Sequence, residues 1–158
     1  MLIQGSFLSS LLNLLPQKGM VKMMREYLFR GKMIANGKWS EGNLLVTKQG
    51  CCITPDATVL GSYGAVDPET VGQYTGMKDK NGKRIFEGDI LKIKSYDYDY
   101  EYITQVYYSC HTLCVDIYGQ DYGFIAIGFA DDIWNEEGCE IEVIGNIYDN
   151  PNLVRGDY

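Results

Sequence analysis

The chain has 158 residues, a formal net charge of −7 at pH 7, and hydrophobic and charged fractions of 46% and 22%. These values suit one domain, or a core domain with a small annex, and exclude a disordered or membrane-spanning chain. Because 18 glycines and 13 tyrosines accompany only four prolines, the composition favours many short strands joined by turns.

Residues 1–23 differ in character from the rest of the chain. The apolar run from Ser6 to Leu15 is too short to cross a bilayer, and the first basic residue, Lys18, follows it instead of preceding it as in a signal peptide. One interpretation is an amphipathic helix that packs on the domain or on a partner. We favour the other, that translation starts near Met23 or Met24 and residues 1–23 are an extension from a mis-called start.

Residues 24–66 are predicted to form a small β annex. Alternation over residues 25–33 predicts a first strand, and Asn36-Gly37 offers the left-handed geometry of a two-residue hairpin turn. Trp39 and residues 43–47 supply the returning strand, and a short apolar strand over residues 50–54 ends at Pro55. An annex of about 40 residues is too small to be stable alone.

The stretch from residue 67 to residue 90 packs a strand, a tight turn and a second strand into one unit. Residues 71–75 form the first strand and residues 83–86 the second, because Asn81-Gly82 between them tolerates positive φ. The corner Glu87-Gly88-Asp89 then opens a strand over residues 90–94. Such a Gly-Asp corner is found in small SH3-like barrels.

The remaining sequence predicts a few more elements. Residues 103–117, rich in β-branched and aromatic side chains, predict a hairpin arm or one long bent strand. Residues 123–129 form another strand, one short helix lies near residues 130–137, and residues 141–148 close the sheet before Asn150-Pro151. Several short strands at this spacing imply a mainly β fold, a sandwich or barrel.

The ordered combination of these motifs resembles the YopX family of phage and prophage proteins. The resemblance begins at residues 25–30, is strongest over residues 71–76, 79–82 and 87–90, and resumes at residues 141–148. It leaves residues 1–23 outside the family.

The resemblance implies a β-rich fold with an SH3-like barrel over residues 67–154, followed by a tail of residues 155–158. It also implies a phage or prophage gene in a bacterial host. It carries over no activity, so the motif residues are interpreted as structural: Gly72, Gln73, Tyr74, Thr75, Gly76, Asn81, Gly82, Gly88, Asp89, Gly145 and Asn146.

One pattern resembles a metal site but has the wrong ligands. Asp79, Asn81 and Gly82 reproduce half of a calcium loop, yet Lys83 stands where a ligand is needed and Ile90 where a bidentate glutamate is needed. We therefore interpret this stretch as a hairpin turn.

A second pattern, Cys110-His111-Thr-Leu-Cys114, suggests zinc. Alternation places the two cysteines on one face of a strand and His111 on the other, so further ligands would have to come from Cys51, Cys52 or Cys139. The five cysteines are odd in number, irregularly spaced and preceded by no secretory signal. We interpret them as reduced thiols in a cytoplasmic protein and predict no metal and no cofactor.

No catalytic pair is marked in the sequence. His111 is the only histidine, and nothing identifies a nucleophile beside it. Acidic residues are many, so a small carboxylate- or metal-dependent hydrolase remains an alternative. Acidic residues spread along a β-chain are nevertheless most often solvated surface.

Charge is distributed unevenly along the chain. Residues 24–94 contain 11 basic and 8 acidic residues, whereas residues 95–154 contain 12 acidic residues and no lysine or arginine. An acidic surface repels phosphates, so we expect no direct binding of nucleic acid through this part. A basic protein is the expected partner.

Tyrosine and acidic residues alternate over residues 96–102. In an extended chain the tyrosines share one face and the acidic residues the other, and tyrosine supplies large contact area at low entropy cost. The alternatives are a mobile acidic loop and an edge strand guarded by charge. The candidate partner-binding residues are Tyr96, Asp97, Tyr98, Asp99, Tyr100, Glu101 and Tyr102.

The sequence therefore predicts a non-enzymatic phage or prophage accessory protein that acts through protein–protein contacts. A related alternative is that the acidic barrel mimics DNA and occupies the cleft of a nucleic-acid-binding protein. Self-association is a further expectation, because exposed edges of small barrels pair readily.

Overall fold

A computed structural model describes residues 26–55, 64–95, 101–109, 112–115, 125–126 and 139–154, and these residues form two antiparallel sheets. The predicted mainly β class is confirmed. The helical elements of the described residues are two 3-10 turns, Pro68–Thr70 and Pro151–Leu153. The extension over residues 1–23, the helix near residues 130–137 and the tail over residues 155–158 lie outside the described residues.

The first sheet has six strands in the order β4-β3-β2-β1-β5-β6. Strand β1 pairs with β2 on one side and with β5 on the other, where Phe29 lies opposite Gln73. The sheet therefore continues across residue 66, where the sequence predicts the end of the annex. Its strands are β1 (Phe29–Lys32), β2 (Trp39–Thr47), β3 (Gly50–Thr54), β4 (Gly64–Val66), β5 (Gly72–Lys78) and β6 (Arg84–Phe86).

The left-handed glycine predicted in each Asn-Gly turn is confirmed, but the first turn is longer than the predicted two residues. The Met33 N–H donates to the Lys38 carbonyl at 2.8 Å, which leaves residues 34–37 as a four-residue loop. Gly37 and Gly82 take φ angles of 68° and 79°. The Gly37 N–H donates to the Met33 carbonyl at 2.8 Å, and the Gly82 N–H donates to the Asp79 carbonyl at 2.9 Å.

Strand β2 pairs with a different strand on each of its two edges. Its first half, up to Gly42, pairs with β1, and its second half, from Asn43 onward, pairs with β3. At the junction, a Cβ added to the buried Gly42 would lie 2.1 Å from the Thr54 carbonyl oxygen. Glycine is required there because the strand passes directly against its neighbour.

The outer strand β4 returns to the segment that follows β1. The Asp67 N–H donates to the Lys32 carbonyl at 2.9 Å, and the Ile34 N–H donates to the Ala65 carbonyl at 3.0 Å. The first sheet is therefore strongly curled, and its edge at β4 is partly occupied by the chain itself.

The second sheet has five strands in the order β10-β9-β8-β7-β11. The predicted run over residues 103–117 is a hairpin, with Ser109 opposite Thr112. Among the described residues no pairing joins β10 to β11, so the sheet is not a closed barrel there, and the SH3-like barrel stays a prediction. Its strands are β7 (Asp89–Ser95), β8 (Glu101–Ser109), β9 (Thr112–Val115), β10 (Ile125–Ala126) and β11 (Cys139–Asn146).

The main hydrophobic cluster lies on one face of the second sheet. Leu91 and Ile93 of β7 belong to it, and Ile85 of β6 joins it from the first sheet. Burying each such side chain contributes about 1.5–3 kcal/mol. The other members are Val106, Leu113, Val115, Ile141 and Val143.

Replacing Gly42 by alanine should lower the free energy of unfolding by about 2 kcal/mol, because the new Cβ would overlap the Thr54 carbonyl and force β2 from β3. Urea denaturation measures the loss. Gly50→Ala is the matched control in the same hairpin. Its φ of 137° imposes backbone strain as the 156° of Gly42 does, but a Cβ there meets no atom within 4 Å, so the extra loss at Gly42 measures the overlap. Equal stability of the two variants would contradict this account of Gly42.

Candidate functional site

A buried ion pair joins the two sheets. Arg30 of β1 contacts Asp89 of β7 with 2.5 Å between Nη1 and Oδ1, and the residues are 7% and 1% exposed. The other carboxylate oxygen accepts the Phe86 N–H at 2.8 Å, and Arg30 Nη2 donates to the Glu87 carbonyl at 3.1 Å. Burial raises the pKa of the Asp89 carboxyl, against the opposing attraction of Arg30.

The Arg30 guanidinium is also enclosed by aromatic rings. Its Cζ atom lies 4.8 Å from the centre of the Trp39 ring and 5.2 Å from that of Phe86. Aromatic faces attract cations, most strongly where water is excluded. With both carboxylate oxygens and the guanidinium engaged, Arg30 and Asp89 form a structural joint.

The Asp79 carboxylate makes a second joint between the sheets. It is 7% exposed and accepts the N–H groups of Asn81 and Lys83 at 2.9 Å and that of Val143 in β11 at 3.1 Å. Burial opposes its ionisation, but these three donors outweigh burial and lower the pKa of Asp79. The carboxylate that resembled a calcium ligand is turned inward onto backbone N–H groups.

A third joint surrounds Asp149, which follows β11. Its carboxylate accepts hydrogen bonds from Lys32 Nζ at 2.6 Å, Trp39 Nε1 at 2.7 Å and Asn146 Nδ2 at 2.9 Å. These bonds, first the one from Lys32, lower the pKa of Asp149 to about 2. The Tyr148 ring lies 5.8 Å from the Trp39 ring.

The motif residues lie along these joints. An added Cβ on Gly72 would sit 2.5 Å from the Glu87 carbonyl oxygen, and Thr75 Oγ1 donates to the Ile85 carbonyl at 2.9 Å. Gly72, Gln73, Tyr74, Thr75 and Gly76 are in β5, Asn81 and Gly82 in the following turn, Gly88 and Asp89 at the start of β7, and Gly145 and Asn146 at the end of β11.

The exposed face of the second sheet carries interleaved charges. Lys80 contacts Glu140 and also Glu142, with 2.7 Å from Nζ to the Glu142 carboxylate, and Lys92 contacts Glu101 at 2.7 Å. The two glutamates raise the pKa of Lys80. Exposed pairs such as these contribute little to stability, because water and salt screen them.

The uneven charge of the sequence is thus compensated in the described part of the fold. The described acidic residues of the basic-free stretch are Glu101, Glu140, Glu142 and Asp149, and each contacts a lysine from residues 24–94. The described residues contain 10 basic and 11 acidic side chains. Almost all of the net charge of −7 therefore belongs to residues outside the described ranges.

Only the end of the predicted recognition segment is described. Residues 96–100 lie outside the described ranges, whereas Glu101 and Tyr102 begin β8. Glu101 contacts Lys92, and Tyr102 is partly buried and packs against the hydrophobic cluster. Tyr102 therefore faces the core.

Two acidic segments leave the second sheet in the same direction. Ser95, which precedes residues 96–100, lies opposite Cys139, which follows residues 127–138. Val115, which precedes residues 116–124, lies opposite Ile125, which follows them. Strand β9 runs in the same direction as β7, and Val115 lies opposite Val106, five residues along β8 from Glu101.

Sequence reasoning did not single out residues 116–124 as a second segment rich in tyrosine and aspartate. Asp116, Tyr118, Asp121 and Tyr122 repeat the tyrosine-aspartate composition of residues 96–100. This composition is the sequence signal by which the segment could have been found. The pairing of Val115 with Ile125 shows where the two ends of this segment attach to the sheet.

The cysteines and the histidine do not assemble a site within the described residues. Cys114 is buried, Cys51, Cys52 and Cys139 are partly buried, and Cys110 and His111 lie outside the described ranges. In the described ranges no three His, Cys, Asp or Glu side chains are placed to hold a metal ion. In the same ranges, no helix has the length and apolar character needed to span a membrane.

The family model described as YopX protein matches residues 25–155. The chain belongs to the YopX family. The SPbeta prophage-derived uncharacterized protein YopX of Bacillus subtilis (strain 168) is 35% identical over 77 residues, which are 48% of this chain and 53% of that relative. The match thus spans about half the length of the curated relative. The resemblance drawn from the motifs is confirmed, and the prophage origin of this relative agrees with it.

Two crystal structures share the fold. Protein YopX of Bacillus subtilis has a TM-score of 0.50 at 21% identity and covers 82% of this chain and 98% of its own. Protein EF1440 of Enterococcus faecalis has a TM-score of 0.53 at 25% identity and covers 83% and 99%. The YopX-family fold thus accommodates wide sequence divergence.

Replacing Arg30 by methionine should lower the free energy of unfolding by about 3–5 kcal/mol, because Asp89 would remain buried without its counter-charge. Chemical denaturation measures the change. Lys92→Met, which removes an exposed pair with Glu101, should cost less than about 1 kcal/mol. Similar losses in the two variants would show that the Arg30–Asp89 pair has no special role.

Acidification tests the Asp149 joint. Its folded pKa of about 2 lies below the ordinary 3.8, so the ionised carboxylate stabilises the fold above about pH 4, and this contribution is lost as the pH falls through 2. Asp149→Asn should therefore be less stable than the parent at pH 7 and lose less stability between about pH 4 and 2. Thermal denaturation across this range measures both, with the exposed Glu69→Gln as control. A parent-like pH profile for Asp149→Asn would refute the assignment.

Proposed function

We propose that this YopX-family chain is a non-enzymatic prophage accessory protein of the bacterial cytoplasm that binds a basic protein. The proposed contact residues are the acidic, tyrosine-rich residues 96–100 and 116–124, which follow β7 and β9. The supporting observation is that β7 and β9, which lead into these two segments, run in the same direction because both pair antiparallel with β8.

Charge favours this surface over the rest of the second sheet. Glu101, Glu140 and Glu142 already contact lysines, so they contribute little net potential to a partner. Asp97, Asp99, Asp116 and Asp121 belong to segments that contain no basic residue. Unbalanced charge of one sign attracts an oppositely charged partner and accelerates encounter.

Tyrosine supplies the contact area that charge alone lacks. Residues 96–100 and 116–124 together contain five tyrosines. Tyrosine is enriched at interfaces because its ring buries a large area and its hydroxyl still finds a hydrogen-bond partner.

The two buried carboxylates are explained as structural groups and not as catalytic ones. Asp79 and Asp89 have both oxygens engaged by internal donors, which fix them as parts of the scaffold. A general acid or base needs an oxygen within reach of substrate.

Affinity capture from the bacterial host tests the proposal. The variant Tyr96→Ser/Tyr98→Ser/Tyr100→Ser should recover about tenfold less of the partner, because tyrosines commonly carry most of an interface's energy. Tyr102 is retained, since it packs on the core. The control is Tyr27→Ser/Tyr108→Ser, which removes tyrosines that are 65% and 57% exposed elsewhere. Equal recovery by the triple variant and the parent would refute this surface.

Charge and salt provide an independent check. Asp97→Asn/Asp99→Asn should weaken capture, and raising the ionic strength should weaken capture by the parent more than by this variant. Added duplex DNA separates the two modes of binding. Displacement of the captured partner by DNA would favour the DNA-mimic alternative, whereas insensitivity to DNA would favour an ordinary protein interface.

A further inference from the structure

The open edge of β2 points to a second copy of this chain as its partner. We propose that two molecules pair antiparallel through residues 43–47, with Leu45 of one opposite Leu45 of the other. This surface differs from the acidic segments of the proposed function, residues 96–100 and 116–124, and the inference does not depend on that function.

The second half of β2 has only one hydrogen-bonded neighbour within the described residues. Residues 43–47 pair with β3, while pairing with β1 ends at Gly42. One side of this five-residue segment therefore presents backbone groups that no described strand accepts. Leu45 and Val46 on it are 48% and 68% exposed.

This edge lacks the features that normally protect edge strands. Charged residues, proline and bulges commonly prevent such edges from pairing. Asn43-Leu44-Leu45-Val46-Thr47 contains none of these residue types, and its register with β3 is unbroken. The cross-strand neighbours Cys51 and Cys52 add further partly exposed apolar surface.

The hairpin geometry determines which backbone groups are open. Thr47 and Gly50 flank the two-residue turn and lie opposite each other, so they exchange hydrogen bonds. Because such pairs alternate along an antiparallel ladder, Leu45 and Asn43 also direct their N–H and C=O groups toward β3. The groups of Leu44 and Val46 then point to the open side.

A second copy matches this pattern because the segment is nearly palindromic in polarity. With Leu45 opposite its copy, Leu44 lies opposite Val46 and Asn43 opposite Thr47 across a twofold axis perpendicular to the sheet. The open groups of Leu44 and Val46 then meet each other as hydrogen-bonded pairs. No two like charges lie opposite within these five residues.

The mass in solution tests the dimer directly. By light scattering at micromolar concentration, the full chain should have twice its 17.9 kDa mass. Leu45→Lys places two lysines opposite each other and should shift the protein to the monomer. Ile34→Lys is the matched control, an exposed aliphatic side chain of 68% exposure outside β2. A monomeric parent, or equal loss of the dimer in both variants, would overturn the proposal.

Charge complementation tests the register. Leu45→Glu should be monomeric for the same reason as Leu45→Lys, whereas an equimolar mixture of the two should recover the dimer mass. Failure of the mixture to dimerise would refute the pairing of Leu45 with its own copy. The circular dichroism spectrum of each variant, measured before mixing, shows whether that variant is folded.

Crosslinking gives a second test. In a Cys51→Ser/Cys52→Ser background, Leu45→Cys should form an intermolecular disulfide on mild oxidation, since Cβ atoms of directly opposite residues lie within disulfide reach. Thr47→Cys should not, because it lies opposite Asn43 and far from its own copy. Equal crosslinking of the two variants would contradict the register.

Discussion

The buried pair Arg30–Asp89 is the interaction on which the two-sheet arrangement depends. Arg30 comes from the predicted annex and Asp89 from the strand-entry corner of the family motif, so one contact joins the two parts of the chain. Removing both charges from water is costly, and the cost is offset only when both partners are present. The contact favours arginine over lysine because the guanidinium donates to Asp89 and the Glu87 carbonyl from two nitrogens while it lies beside the rings of Trp39 and Phe86. The annex strands are therefore an integral part of the fold.

Local features of the fold could be predicted from the sequence, and non-local ones could not. The left-handed glycines of the two Asn-Gly turns were predicted correctly because this preference is local. The length of the first loop, residues 34–37, was not, because it depends on how β1 and β2 pair. The hairpin at residues 109–112 was not resolved from a single long strand, since its flanks contain no glycine or proline to mark it. Nor does composition reveal that β2 pairs with β1 and then with β3, because pairing partners are set by the whole sheet.

The same distinction applies to the candidate site. The tyrosine-acid alternation over residues 96–102 was visible in the sequence, but the inward packing of Tyr102 depends on the cluster around Ile93 and Val106. The contacts of Lys80 with Glu140 and Glu142 connect residues about 60 positions apart. Charge separated along the sequence is therefore mixed in space on this face.

The Asp79 joint has a consequence for how the protein fails when it is damaged. Val143 and Ile141 on the outer edge of β11 bond to Asp79 and Lys80, so a turn occupies the place where another strand would otherwise attach. A lesion at Asp79 would uncover that edge while most of the sheet remained intact. Aggregation by strand addition would then precede global unfolding, and the damaged protein would be lost from solution while still largely folded. The turn thus prevents another strand from pairing with this edge of the sheet.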